Sequence, residues 1–409
     1  MSTHEDLPSF LHLDNRVVKP PTTTNSITNF PASTIAADAK STHILIHSRY
    51  PTLLTAFLAH KRASGSIHER SLYADLSWQH LVARFINARP YIFMNSSDFT
   101  LLRDGTTLSL NANQEWDRNG TASQHLNSHL TLENYLSYDE IMLSSLLGVS
   151  GPSYFINNGS RRNRARTAPQ GSYEPRGIIV GLVGARFERE NRMDSVHILP
   201  LQVEEKTPGL QDPAISAMIQ TFLGAPRNQT LDFDVLMYKA RCRVTAEMFL
   251  LEANARAAEA GKKAWAYVVG LGLGVWQYTY EQREWYVSAW GEALDALDLP
   301  HVGTVEFAYI SGLSAQVQEE VSDLAARKGI RVVFSQRDPA DKLRSGELLV
   351  LSYAWDGNAF PGNEYWLGSL DGSGDPAAAC MSTVAELHNP LVNPEFTGRI
   401  KVAGKEGYS

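Results

Sequence analysis

An α/β fold built on a largely parallel sheet with helices on both faces is what this sequence predicts, on three observations. Continuous apolar runs such as Gly177-Ile-Ile-Val-Gly-Leu-Val and Leu348-Leu-Val-Leu-Ser-Tyr lack polar alternation, so they suit strands buried on both faces. These runs alternate with helical stretches through the second half of the chain, the pattern of βα units. The chain has 409 residues, of which 43% are hydrophobic and 20% charged, enough apolar material for one large core or two modest ones.

Taken in order, residues 1–41 hold Lys19-Pro-Pro-Thr-Thr-Thr and few large apolar side chains, and read as a flexible tail or a strap over the surface. Residues 42–130 read as a mainly helical, mixed extension packed on the core. It comprises a short strand at Ile44-Leu-Ile, helices from Leu53 to Lys61 and from Trp78 to Asn87, a strand at Tyr91-Ile-Phe-Met, and a long Asn-rich loop over 99–130. Residues 131–400 carry the main domain. A helix is expected from Leu132 to Leu147, then a strand at Ser153-Tyr-Phe-Ile-Asn and the strand at Gly177. Asp234 to Ala260 reads as a long helix stopped by Gly261, a C-cap signal. Strands at Ala264-Trp-Ala-Tyr-Val-Val, Thr304-Val-Glu-Phe-Ala-Tyr-Ile, Ile330-Arg-Val-Val-Phe and Leu348 follow, with helices Gln282 to Leu297 and Ala315 to Lys328 between them. A last helix begins near Pro376, with Asp375 as its expected N-cap, because Pro at the first helical position has no N–H to lose.

A formal charge of −7 supplies no broad basic surface, so a nucleic-acid partner is not expected. Two cysteines, Cys242 and Cys380, are too few for a disulfide scaffold or a thiolate zinc site and fit a reducing compartment. The N-terminus lacks the basic and apolar segments of a secretory signal, and no run approaches the roughly 20 apolar residues that span a bilayer. The expectation is a soluble cytoplasmic or nuclear protein, not secreted and without a membrane partner.

In a parallel sheet the ligand lies beyond the carboxyl ends of the strands, so the loops there carry the chemistry. After the strand at Ala264 comes Gly270-Leu-Gly-Leu-Gly-Val-Trp, whose alternate glycines let the backbone turn tightly and present N–H groups to an anion such as a diphosphate. Gly270, Gly272, Leu273, Gly274, Val275 and Trp276 are therefore candidate ligand contacts. The spacing is GxGxG and not GxGxxG, which weakens a nicotinamide-binding reading. After the strand at Leu348 comes Ala354-Trp-Asp-Gly-Asn-Ala-Phe-Pro-Gly-Asn-Glu-Tyr-Trp, where Asp356, Asn358, Asn363 and Glu364 sit among aromatics, a mixture suited to a sugar and to shifted carboxylate pKa values. Asp375 follows closely enough to share that pocket. Asn157 and Asn158 at a strand end, and Asp139 on a helix face as a possible acceptor for an adenine amino group, complete the candidates.

The elements from Tyr353 to Pro394, namely Trp-Asp-Gly-Asn, Pro-Gly-Asn-Glu-Tyr-Trp, Ser-Gly-Asp-Pro-Ala-Ala-Ala and Leu387-His-Asn-Pro-Leu-Val-Asn-Pro, resemble the atypical macrodomain family of the bacterial effector MavL and its fungal and insect relatives. Gly181-Leu-Val-Gly-Ala-Arg-Phe-Glu and Phe155-Ile-Asn-Asn-Gly are similar to recurrent segments of the same family. The resemblance implies a three-layer α/β/α macrodomain-like fold with a mixed, largely parallel sheet over 131–400. It also implies an ADP-ribose-binding hydrolase that removes mono-ADP-ribose from protein arginine, with Asp356, Glu364 and Asp375 as the catalytic acids. Breaking the N-glycosidic bond passes through an oxocarbenium-like state, which carboxylates can stabilise while activating water and orienting the guanidine. No metal and no cofactor are expected. The partners implied are ADP-ribose and an arginine-modified protein; the competing reading is a reader module that binds ADP-ribose without turnover.

Overall fold

The computed structural model describes residues 7–200, 212–228, 230–405 and 407. Among the described residues eleven strands are formed: β1 His43–Ile46, β2 Ile92–Met94, β3 Phe99–Leu101, β4 Thr107–Leu108, β5 Gly148–Tyr154, β6 Arg176–Leu182, β7 Ala264–Val269, β8 Val302–Ala308, β9 Arg331–Ser335, β10 Leu348–Ala354 and β11 Ile400–Val402. Eight build one sheet in the order β11-β1-β5-β6-β10-β7-β8-β9, and β2, β3 and β4 form a small second sheet. From β6 to β9 every neighbouring pair is parallel, while β5 runs against both β1 and β6. The sheet is thus mixed and largely parallel, as expected.

Alternation along the strands gives the sheet two different faces. Phe307 meets Trp290, which packs on Phe249, so this face is covered by the helices Gln282–Ala296 and Val235–Glu259. Asp234 starts the longer helix by accepting from the Met237 amide at 3.0 Å, and Gly261 follows its end at φ +62°. Ile179, Tyr267, Leu351 and Tyr353 point to the opposite face, where the helix Gly374–Met381 leaves a cavity above the sheet.

Three segments differ from expectation. The helix foreseen over Leu132 to Leu147 spans only Tyr138–Ser144: a capping box between Ser137 and Glu140 starts it late, and the chain turns into β5 at Gly148. The Asn-rich stretch 99–130 is not a long loop but holds β3, β4 and the helix Ala112–Arg118, with Asn111 taking a left-handed turn before that helix as Asn95 does between β2 and β3. Residues 1–6 lie outside the described residues, and 7–41 take the form of a strap, not a flexible tail. There Asn25 donates to Ala379 O and Ser382 O, Glu386 accepts from Arg16 and the Ile27 amide, and Asp38 pairs with Arg176. Burial of Ile27, Ile35 and Ala39 explains why so polar a segment stays down. The large sheet also takes β1 from the expected extension and β11 from the far end of the chain. Among the described residues no helix is long and apolar enough to cross a membrane, and no cluster of His, Cys, Asp or Glu is placed to hold a metal ion.

Candidate active site

Parallel strands deliver their following loops to one edge of the sheet, and the strand order fixes the sequence of those loops in space. Along this edge lie Val183–Glu188 after β6, Asp356 after β10, the glycine turn after β7, Tyr309 after β8 and Asp338 after β9. All but the Val183–Glu188 segment border a cavity of about 980 Å³, a volume within the usual range for small-molecule sites. Gly270, Gly272, Leu273, Gly274, Val275, Trp276, Asp356 and Glu364 all line it.

The glycine turn is open and backbone-rich. The amides of Gly272, Gly274, Val275 and Trp276 have no acceptor among the described residues, and Val275 is 87% exposed. Unpaired N–H groups on successive residues form an anion cradle. Gly272 is required for contact as well as for its φ of +79°: a Cβ there would lie 2.6 Å from Ala185 O, where the turn after β6 packs against it.

The acidic wall is built in the opposite way, from side chains: half-buried Asp356 and Glu364 at the cavity, braced by buried Asn363 and Asp375. Asn363, 2% exposed, accepts from the Phe93 amide at 3.0 Å, donates to Phe93 O at 3.1 Å, and donates to the Asp356 carboxylate. A strand of the small sheet thereby fixes Asp356. Burial pushes Asp356 up to about 7; the Arg186 guanidinium opposes that shift, Glu364 and Glu188 add to it, and the Asn363 bond opposes it. Asp375, 2% exposed, accepts from the Gly362 amide at 2.7 Å and the Asn363 amide at 2.9 Å. Burial, then the neighbouring Asp356 charge, raises Asp375 well above the ordinary carboxylate range, against those two amide bonds. Glu364 is half-buried at the cavity wall, with Ser373 Oγ donating to its Oε2 at 3.2 Å.

The other candidates lie away from the lining. Asp375 is not the helix N-cap, since the helix begins at Gly374 after Ser373 and the Asp375 oxygens are spent on the Gly362–Asn363 turn. Asp139 pairs with Lys61 at 2.7 Å on the small-sheet side, so its carboxylate is already satisfied. Asn157 ties Arg166 O to the Gly159 amide, and Asn158 binds Asp338 and Asp341; both shape the loop whose Gly159–Arg162 edge lines the cavity. Asn358 is fully buried, and neither of its side-chain polar atoms has a partner among the described residues.

Sequence reasoning missed Phe93, whose backbone braces the acidic loop, and Tyr309, a cavity residue held at φ +58° with its hydroxyl on Asp338 at 2.8 Å. Neither has a local signal. Arg186 was visible only as part of Gly181-Leu-Val-Gly-Ala-Arg-Phe-Glu; in the structure it stacks on Trp276 at 5.0 Å and on Phe93 at 5.5 Å.

A family model described as "ADP-ribosylhydrolase MavL-like" matches residues 17–209 and 204–407. Two Drosophila melanogaster proteins, each named as an ADP-ribosylarginine hydrolase, are similar along most of their length. One is 34% identical over 393 residues, covering 87% of this chain and 76% of its own. The other is 35% identical over 414 residues, covering 91% of this chain and 81% of its own. With both halves of its length matched and its acidic and glycine loops facing one cavity, the chain belongs to the MavL-like ADP-ribosylhydrolase family.

Proposed function

We propose that this protein binds ADP-ribose and hydrolyses the N-glycosidic bond of mono-ADP-ribosylated arginine in protein substrates. The observation that carries this reading is the pairing, in one cavity, of unpartnered backbone amides with ionisable carboxylates. The diphosphate lies on the amides of the Gly270–Val275 turn, where it needs no cation from the protein. One strand spacing away, between β7 and β10, the distal ribose reaches Asp356 and Glu364.

In the reaction the bond between C1″ and the guanidine nitrogen breaks, and the electron pair leaves with the nitrogen. Water oxygen bonds to C1″, its proton passes to a carboxylate, and the departing nitrogen takes up one proton in turn, so that no net proton is gained or lost by the protein. The products are ADP-ribose and unmodified arginine. Asp356, poised near neutrality, suits the proton transfer because a base works best when its pKa lies near the working pH. Glu364 supplies negative charge beside the developing cation and an acceptor for the departing guanidinium. Asp375 acts through the Gly362–Asn363 turn, holding Asn363 against Asp356 and Glu364 at the wall.

The test is release of ADP-ribose from peptides modified on arginine, glutamate or serine. Release from the arginine peptide at least about tenfold faster than from the glutamate ester or the serine O-glycoside is the expected result, because only guanidinium offers paired charge-assisted bonds. Equal rates on all three linkages, or none on arginine, would overturn the assignment.

A further inference from the structure

Arg186 is an unusual residue to find buried behind a pair of carboxylates. Only 3% exposed, it is clamped by Glu188, whose Oε2 accepts from Nε at 3.1 Å and from Nη2 at 2.6 Å, while its own backbone amide donates to Asp194. Its guanidinium lies over the ring of Trp276 and over that of Phe93. Nη1 is buried without a partner among the described residues. Phe93 also holds Asn363, which donates to Asp356, so one side chain and one backbone segment join Arg186 to the acidic wall. The charged and titratable groups around Asp356 are Arg186 and Glu188 after β6, Glu364 on the turn after β10, and Asp375 on the helix Gly374–Met381; Asp98 and Tyr138 in turn face Arg186, and Tyr353 of β10 faces Asp375. Arg186 is the cation among them.

Building on the proposed hydrolysis, we propose that Arg186 is the positioning residue that places the negative charge of the carboxylate pair on Asp356, at the cavity wall, and leaves the proton with the buried Asp375. Two carboxylates packed together in low dielectric do not both ionise readily, so a single neighbouring cation decides which does. Burial works against the charge on Arg186, but Glu188, Asp356, Tyr138 and Asp98 together outweigh it, so the guanidinium stays charged. Asp375 has two amide donors but no cation in this role, and burial dominates it. Arg186 does not line the cavity; it acts through Asp356 while Trp276 separates it from the ligand.

The experiment is the pH profile of ADP-ribose release from an arginine-modified peptide by the full chain, with ADP-ribose affinity measured in parallel. In Arg186→Gln the acid limb of the profile moves up by about one pH unit or more, so the rate at neutral pH drops about tenfold and recovers in mild alkali. Arg186→Lys keeps the charge and returns the limb most of the way to the wild-type position. Glu188→Gln moves it down, because a repelling anion is lost and Arg186 is no longer neutralised. ADP-ribose affinity stays within about threefold throughout, which separates this effect from loss of the binding site. Lower rates in Arg186→Gln with an unmoved limb would reduce Arg186 to a packing residue and overturn the inference. If Arg186→Gln does not fold, the lysine and Glu188 variants decide: an unmoved limb in Glu188→Gln overturns it. No release by the wild type would overturn both the inference and the function it rests on, whereas wild-type release with unmoved limbs in the variants would overturn the inference alone.

Discussion

The two walls of the cavity use opposite physics. The glycine turn after β7 offers neutral backbone amides to solvent and derives its function from what it lacks, namely side chains. The acidic wall after β10 half-buries Asp356, holds it with an asparagine that the amide-bonded Asp375 braces from the next helix, and derives its function from the resulting displacement of proton affinity. Binding needs only an open cradle, which costs little to keep solvated. Chemistry needs groups whose charge is held at an unusual balance, and that requires packing from three other parts of the chain: Phe93, Arg186 and the strap residue Asn25. The comparison teaches that the acidic wall is the part on which distant substitutions act, while the glycine wall answers mainly to changes in itself.

The largest effect is expected from breaking the acidic wall. Asp356→Asn keeps shape while removing charge, so turnover on ADP-ribosylarginine should fall roughly 10²-fold or more, with ADP-ribose affinity retained. Its stability effect has a definite sign. Because the folded-state value, about 7, lies above the ordinary 3.8, the contribution of Asp356 to stability is fully present below that ordinary value and is lost as pH rises through about 7. The variant should therefore melt higher than the wild type at pH 8, and the gain should shrink toward pH 4. Melting curves at the two pH values check this; a variant that is less stable at pH 8 would show that Asp356 is not strained by burial.

The glycine wall sharpens the contrast at intermediate size. Gly272→Val should lower ADP-ribose affinity at least about tenfold and reduce the melting temperature, since its φ is positive and its Cβ would strike Ala185. Gly274→Ala meets nothing within 4 Å and should change affinity by no more than about threefold. Titration calorimetry of both variants tests whether the turn works through its backbone; equal losses in the two would say that side-chain volume alone matters. The smallest effect belongs to Asp139→Asn, outside both walls. It removes one of two carboxylates around Lys61, whose other partner is Glu69 at 2.5 Å, so it should lower stability by about 1 kcal/mol and leave turnover within about twofold.

The acidic loop was legible because its residues are local: Asp356, Asn358, Asn363 and Glu364 fall within one short stretch, and the glycine turn is a repeat of one residue type directly after an apolar run. The strands and helices of the second half were readable for the same reason, each being a run long enough to show its period; Trp78–Asn87 in the first half is formed over the span its pattern marks. The first half was harder. Its short elements are held by contacts, as when Phe93 pairs with Asn363 across 270 positions, and its asparagines mark turns that composition reads as loop.

The sequence by itself determined the βα alternation, the loops that face the ligand and the residue types in them, because periodicity, glycine runs and acidic clusters are properties of neighbouring residues. Only the tertiary structure decided which of those residues reach the cavity. Strand order sets β10 beside both β6 and β7 and so brings Asp356, Arg186 and the glycine turn together. It also turns Asp375 inward to brace a turn, commits Asp139 to Lys61, and buries Asn358 entirely. The physical reason is that a carboxylate's proton affinity and a side chain's exposure are set by its neighbours in space, and here most of those neighbours come from far along the chain.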